Sequence, residues 1–259
     1  MPKISHKRNA LTAALTTALI ATGASVSSET KVGSTIESRI LLGFKVDETA
    51  ITEMLPAGWT PITLGKGPAA GSNLIVALID RHLMLDAEGK PAQPSSGPTV
   101  AFLSYARSEG VEGVRGFVTR VYEEPPMVNP YQNSVTADID RLAAFSDLGN
   151  GERLQSEDWA IRPQSGGQIR LELAFDVGDF RWATAGESRP YSSEEPEFFR
   201  IYRYDQLASL AMNSKMGLEL NGTARFTVSD TDLGTLFGGS EALVSIVSIP
   251  TYIREISLP

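Results

Sequence analysis

LVSIVSIPTYIREISL, residues Leu243 to Leu258, decides the fold class. Apolar residues stand at nearly every second position with no run of helix formers, so the stretch reads as a strand with one buried face. Pro250 has no N–H for a ladder, which places it at a bulge or bend. Beyond it, Tyr252, Arg254 and Ile256 share one face, and Ile253, Glu255 and Ser257 share the other. Arg254 therefore sits between two apolar neighbours. Either its stem packs inward and its head meets a ligand or a buried acid, or it snorkels to water along an edge strand.

The same signature recurs through the chain. Ser38–Phe44, Asn73–Leu85, Thr99–Arg107, Arg115–Glu123, Gln168–Val177, Phe198–Tyr204 and Thr223–Val228 are rich in β-branched, aromatic or alternating apolar residues bounded by turn formers. Glycine in Gly110–Gly116 reads as a hairpin turn, as does Asn221-Gly222. Gly89–Pro98, Arg162–Gly167 and Ala185–Glu197 read as loops. Three short helices are expected, capped by Asp47, Asp205 and Asp230, plugging an open end of the sheet. The expectation is a mainly β protein: a single antiparallel sheet or barrel with a few short helices, over residues 28 to 259.

Residues 1 to 27 read differently. Lys3, Lys7 and Arg8 precede an uncharged apolar run, Ala10 to Ala21, and small residues follow from Thr22 to Ser28, the order of a secretory signal peptide. The other readings are an N-terminal helix or a retained anchor, although the run is shorter than the roughly 20 residues of a spanning helix. Cleavage would leave a periplasmic or extracellular protein. It would also move the formal charge from −8 to −11, with 20 basic against 31 acidic residues remaining. Such a surface repels phosphate backbones and anionic lipid heads, so neither nucleic acid nor a membrane surface is an expected partner. Cysteine is absent, so no disulfide framework is available. A chain of this length is stable without one.

Histidine prunes the chemistry further. Beyond residue 27 only His82 remains, which rules out zinc sites of several Cys or His ligands and multi-imidazole metal centres. A Ser-His-Asp triad has no nucleophile elbow to go with it, and His82 reads as a half-exposed strand residue. Nucleotide-binding glycine patterns are missing, so no cofactor and no metal is expected. The carboxylate clusters at Glu123-Glu124, Asp138 and Asp140, Asp176 and Asp179, and Glu194 to Glu197 read as solvated turns.

Three segments in order, ILLGFKVDETAITEMLPAGW (40–59), Asn129-Pro130-Tyr131, and LFGGSEALVSIVSIPTYIREISLP (236–259), resemble the acetoacetate decarboxylase-like superfamily. The resemblance implies a cone-shaped antiparallel β-barrel around a central apolar cavity. Its decarboxylases form a Schiff base through a lysine in a Pro-Lys segment, where desolvation and a neighbouring cation lower the amine's pKa. Beyond residue 27 this chain has no such segment, and it has no lysine between Lys90 and Lys215.

A barrel cavity needs a few polar groups to orient a ligand. The strand arginines and tyrosines Arg107, Arg115, Arg120, Tyr122, Tyr131, Tyr202 and Arg254, with Glu123, are the candidates. An arginine turned inward clamps a carboxylate; turned outward it pairs with surface acids. The leading expectation is an exported barrel holding a small apolar, carboxylated or carbonyl-bearing molecule. The alternatives are a decarboxylase-like lyase acting on a small oxo acid, and a non-catalytic structural or interaction domain with a filled barrel.

Overall fold

The computed structural model describes residues 28–125, 127–149 and 152–259. The export segment expected over residues 1 to 27 lies outside the described residues. In chain order the elements are β1 (Thr30–Lys45), α1 (Glu48–Thr52), β2 (Trp59–Pro61), β3 (Leu74–Asp86), β4 (Gly97–Ser108), β5 (Arg115–Glu123) and β6 (Ser134–Asp147). There follow β7 (Arg153–Pro163), β8 (Ile169–Asp176), β9 (Arg181–Ser188), β10 (Pro190–Ser192), β11 (Ile201–Asn213), β12 (Gly222–Val228) and β13 (Ala242–Leu258).

All thirteen strands join one sheet, whose path runs β12-β8-β7-β6-β5-β4-β3-β1-β13-β11-β9, with β10 on β5 and β2 on β4. The mainly β expectation holds, and it needs two corrections. The path does not close on itself, since β12 and β9 end it. It is also mixed, because β6 and β10 both run parallel to β5. The chain crosses between β5 and β6 without a hairpin, and Pro190 opens β10 where no ladder donor is required.

The sheet is apolar on both faces. On the first face, Ile40, Leu42, Val76, Val100 and Phe102 meet Trp159, Ile161, Leu171 and Leu173 of the folded-over β7 and β8 in one core. α1 and the segment after Asp230 plug this core with Ile51, Leu55, Leu233, Leu236 and Phe237. Phe102 is fully buried at the centre, and truncating it to alanine would cost about 3–5 kcal/mol. The second face carries two smaller clusters, one around Val118, Val121 and Tyr131 and one around Val247, Ile249 and Tyr252.

Asp47 caps α1 through its Oδ1, which accepts from the N–H groups of Thr49 and Ala50. Asp230 caps a single 3-10 turn, Thr231–Leu233. The helix expected after Asp205 is instead β11. Register shifts between Leu207 and Ser209 and between Leu210 and Met212 slip the alternation, so a bulged strand imitates helical spacing. Asp205 accepts from Ala185 N on the neighbouring strand at 2.8 Å. The loop expected over 185–197 holds the end of β9 and all of β10. The Asp138 and Asp140 pair lies in strand β6, not in a turn.

Candidate functional site

The second face of β1 carries Thr35, Glu37 and Arg39 at the strand period of two. Antiparallel pairing sets Thr35 opposite Arg254 and Glu37 opposite Tyr252 on β13, and Glu37 opposite Arg81 on β3. Arg81 pairs with Gly97 on β4, and Thr99, two residues along that strand, pairs with Glu123 on β5. Charged and phenolic side chains from four strands thus converge between the two apolar clusters.

Glu37 is fully buried at 0 % exposure. Its Oε1 accepts from Arg254 Nη2 at 2.7 Å, and its Oε2 from Arg39 Nε at 2.7 Å. Arg39 Nη2 lies 2.5 Å from Oε2 but off the hydrogen-bond direction. Burial pushes the Glu37 carboxyl up, yet Arg254 and Arg39 outweigh it and hold the pKa at about 2. Arg254 also donates from Nε to Thr35 Oγ1 at 3.2 Å. Burial works against its charge, but Glu37 and the surrounding tyrosines keep it above the ordinary arginine value.

Aromatic rings wall the cluster. The Arg39 guanidinium lies 3.7 Å from the Tyr252 ring centre, and that of Arg254 lies 4.2 Å from Tyr202. Tyr204 stacks on Tyr252 with centroids 4.8 Å apart. Two rings lie across glycines on the adjacent strand, Tyr105 opposite Gly116 and Tyr204 opposite Gly186. A Cβ at Gly186 would come within 2.5 Å of the Tyr204 ring, so only glycine admits it.

Tyr131 enters from the segment after β5. Asn129 takes a left-handed φ of 42°, a region asparagine tolerates, and its N–H donates to Glu123 Oε1 at 2.9 Å. Ser192 Oγ donates to Tyr131 O at 2.6 Å. Held this way, the Tyr131 hydroxyl meets the Tyr202 hydroxyl in a short hydrogen bond. Burial, and then Tyr202, push the Tyr131 phenol well above its usual pKa, so it stays protonated.

Arg81 completes the face. It is 9 % exposed, and its hydrogen bonds run to two backbone carbonyls, Gly97 O at 3.0 Å and Pro98 O at 3.5 Å. Burial lowers its pKa, with Glu123 and Glu37 acting only partly against this. Arg200 reaches Tyr131 electrostatically, and its Nε is buried without a hydrogen-bond partner.

Of the residues singled out in the sequence, Glu123, Tyr131, Tyr202 and Arg254 meet here. Arg254 faces a buried acid, and Glu123 is a buried carboxylate rather than part of a solvated turn. Arg120 and Tyr122 lie on the opposite face, where they hold the plug. Arg120 pairs with Asp232 at 2.9 Å, and Tyr122 donates to Asp230 at 2.7 Å. Arg115 lies over Trp59 and Tyr191 beside β10 and pairs with Glu197. Arg107 is exposed. Glu37, Arg39, Arg81 and Tyr252 were not singled out, although the Thr35-Glu37-Arg39 alternation was readable in the sequence.

Two open hollows on the described surface lie elsewhere, one among Arg170, Glu172, Arg225 and Thr227 and another beside Leu154 and Asn221. Neither touches this face. The arginine fork suited to a ligand carboxylate holds Glu37.

The chain has the fold of acetoacetate decarboxylase-like enzymes. It is similar to an acetoacetate decarboxylase-like enzyme from Sphingomonas wittichii RW1, with TM-score 0.56 and 12 % identity over 95 % of this chain and 99 % of that one. It is also similar to the enduracididine biosynthesis enzyme MppR. With HEPES bound, that structure gives TM-score 0.56 and 12 % identity over 92 % and 90 % of the two chains. Complexed with pyruvate, it gives 0.54 and 13 % over 92 % of each. No protein-family model and no curated protein matches the sequence.

Proposed function

We propose that this is an exported protein that holds a small, largely apolar carboxylate against the arginine–tyrosine face, without forming a covalent imine. The observation that carries the reading is the charge balance there. Arg39, Arg81, Arg200 and Arg254 face Glu37 and Glu123, and Arg81 hydrogen-bonds only backbone carbonyls among the described residues. A buried cation without a bonded counter-charge is costly, and an anion beside it relieves that cost. In the Tyr131–Tyr202 pair one hydroxyl donates to the other, which leaves a single O–H donor for a carbonyl or carboxylate oxygen.

The lyase reading rests on the fold likeness alone. The lysines among the described residues, Lys31, Lys45, Lys66, Lys90 and Lys215, all lie at the surface or half-exposed. The family's Pro-Lys segment is not found beyond residue 27, and none of these lysines lies among the arginines and tyrosines of the buried face.

Native mass spectrometry of protein purified from its host, with thermal shift against small monocarboxylates with and without an oxo group, tests the binding. A retained small acid, or a rise in Tm that Arg81→Met removes, is expected. The absence of both a retained mass and a shift with every acid tried would sink the reading. Intact mass of exported protein should place its N-terminus between residues 23 and 32. Glu29, which forks onto Arg203 at 2.5 and 2.8 Å, is best kept by a cut before it. Full-length protein recovered only from the cytoplasm would remove the export claim.

A further inference from the structure

Tyr131 fills a slot in the second face much as a bound molecule would. It is 4 % exposed and lies among Val118, Val121, Ala101, Leu103 and Phe198. The Phe198 ring meets it edge-on, with centroids 6.1 Å apart. Its hydroxyl ends at Tyr202, within electrostatic reach of Arg200 and Arg254. Apolar walls shaped to a ring, with cations at the far end, suit a ring-bearing anion. The phenol brings no negative charge to that end, and Arg200 Nε is buried with no hydrogen-bond partner.

The backbone that carries Tyr131 inward is held at a cost. Asn129 and Gln132, on either side of it, take left-handed φ values of 42° and 62°. Asparagine tolerates that region, but glutamine has no short side chain to bond its own backbone there. Asn133 Oδ1 and Ser134 Oγ are buried without hydrogen-bond partners, a further cost. Nor does a ladder hold the turn. Gln132 N donates to Asn129 O at 3.5 Å and Val121 N to Asn133 O at 3.3 Å, both long. The closer ties run through side chains. Asn129 N donates to Glu123 Oε1 at 2.9 Å, Ser134 N to Asn129 Oδ1 at 3.0 Å, and Ser192 Oγ to Tyr131 O at 2.6 Å. Gln132 is exposed, so the turn has water on its outer side. Backbone strain of this kind collects at ligand clamps and switch segments.

We infer that residues 129–133 form a latch, that Tyr131 is its internal stand-in for the ligand, and that the ligand is a small carboxylate bearing a benzene ring. The inference rests on the binding reading above and adds to it a way in and a ligand class. Neither open hollow on the described surface leads to the slot, so it opens by movement of the chain that covers it. When the latch swings out, the ligand's ring takes the apolar walls and the Tyr202 hydroxyl is freed. The carboxylate then meets that O–H and Arg200, and supplies the negative charge that the phenol lacks.

Nitration of the full chain with tetranitromethane, followed by peptide mapping, reads the exposure of each tyrosine. Benzoate is the probe, and acetate carries the same charge without the ring. Benzoate should raise Tm and speed nitration of Tyr131 several-fold. Tyr122, buried on the opposite face, should stay unchanged and so exclude global opening. Acetate should do neither. Gln132→Val puts a β-branched residue at a left-handed position and should loosen the latch. Tyr131 should then be nitrated faster without ligand, and benzoate should bind more tightly because less of its binding free energy goes into opening. Arg200→Met should weaken benzoate binding several-fold. A Tm rise with benzoate or another small acid while Tyr131 stays protected would overturn the latch and leave the binding reading standing. Equal effects of acetate and benzoate would overturn the ring-bearing ligand. Unchanged benzoate affinity in Arg200→Met would overturn the placement of its carboxylate. No Tm rise with any acid would remove both readings together.

Discussion

Arg254 Nη2 donates to Glu37 Oε1 at 2.7 Å across 217 residues of sequence, and both groups are nearly out of contact with water. Removing one partner leaves a charge buried with half its compensation. Arg254→Met should destabilise the protein by about 3–5 kcal/mol, and Glu37→Met by a similar amount. The double variant still leaves Arg39 without Glu37 but orphans neither member of the pair, so it should lose clearly less than the sum. Urea unfolding of the four proteins measures this, and strict additivity would show that the pair is not coupled.

Acid should expose the same pair. The Glu37 carboxyl titrates at about 2 in the fold against an ordinary 4.5. A lowered folded pKa gives stability that is fully present above the unfolded value and is lost as pH falls through the folded one. About 3 kcal/mol should therefore drain away between pH 4.5 and pH 2. Unfolding free energies across that window should fall less steeply in Glu37→Gln than in the wild type.

Borohydride reduction in the presence of acetoacetate should trap no adduct, because every lysine among the described residues is exposed or half-exposed and none lies on the arginine–tyrosine face. Peptide mapping after reduction checks this. A mass shift on Lys45, Lys66, Lys90 or Lys215 would restore imine chemistry as the leading function.

Deleting residues 243 to 259 should abolish folding. β13 lies between β1 and β11 and is bonded along nearly its whole length to both. Its loss would open two central edges at once and remove Arg254, Tyr252 and Ile246. A soluble truncated protein with an unchanged Tm would contradict that central place.

The sequence by itself determined the strands that are buried on one or both faces, because burial writes an alternation into the chain. Arg115–Glu123 and Leu243–Leu258 were legible to within a residue for that reason, as was the bend at Pro250, where the β1–β13 register shifts. It also determined what the protein lacks: cysteine, a histidine cluster and, beyond residue 27, a Pro-Lys segment. β6, β7 and β9 were not legible. Much of β6 and nearly all of β9 is exposed on both faces, which leaves no period to read, and β7 mixes Gln155 and Glu157 into its buried face. The bulges of β11 disguised a strand as a helix. Only the tertiary structure decided which arginines face a partner and which face water. Arg254 and Arg107 both stand on strands, yet one is buried against Glu37 and the other is exposed. That choice depends on which strand lies alongside, and ladders join residues far apart in the chain, so local pattern carries no record of it.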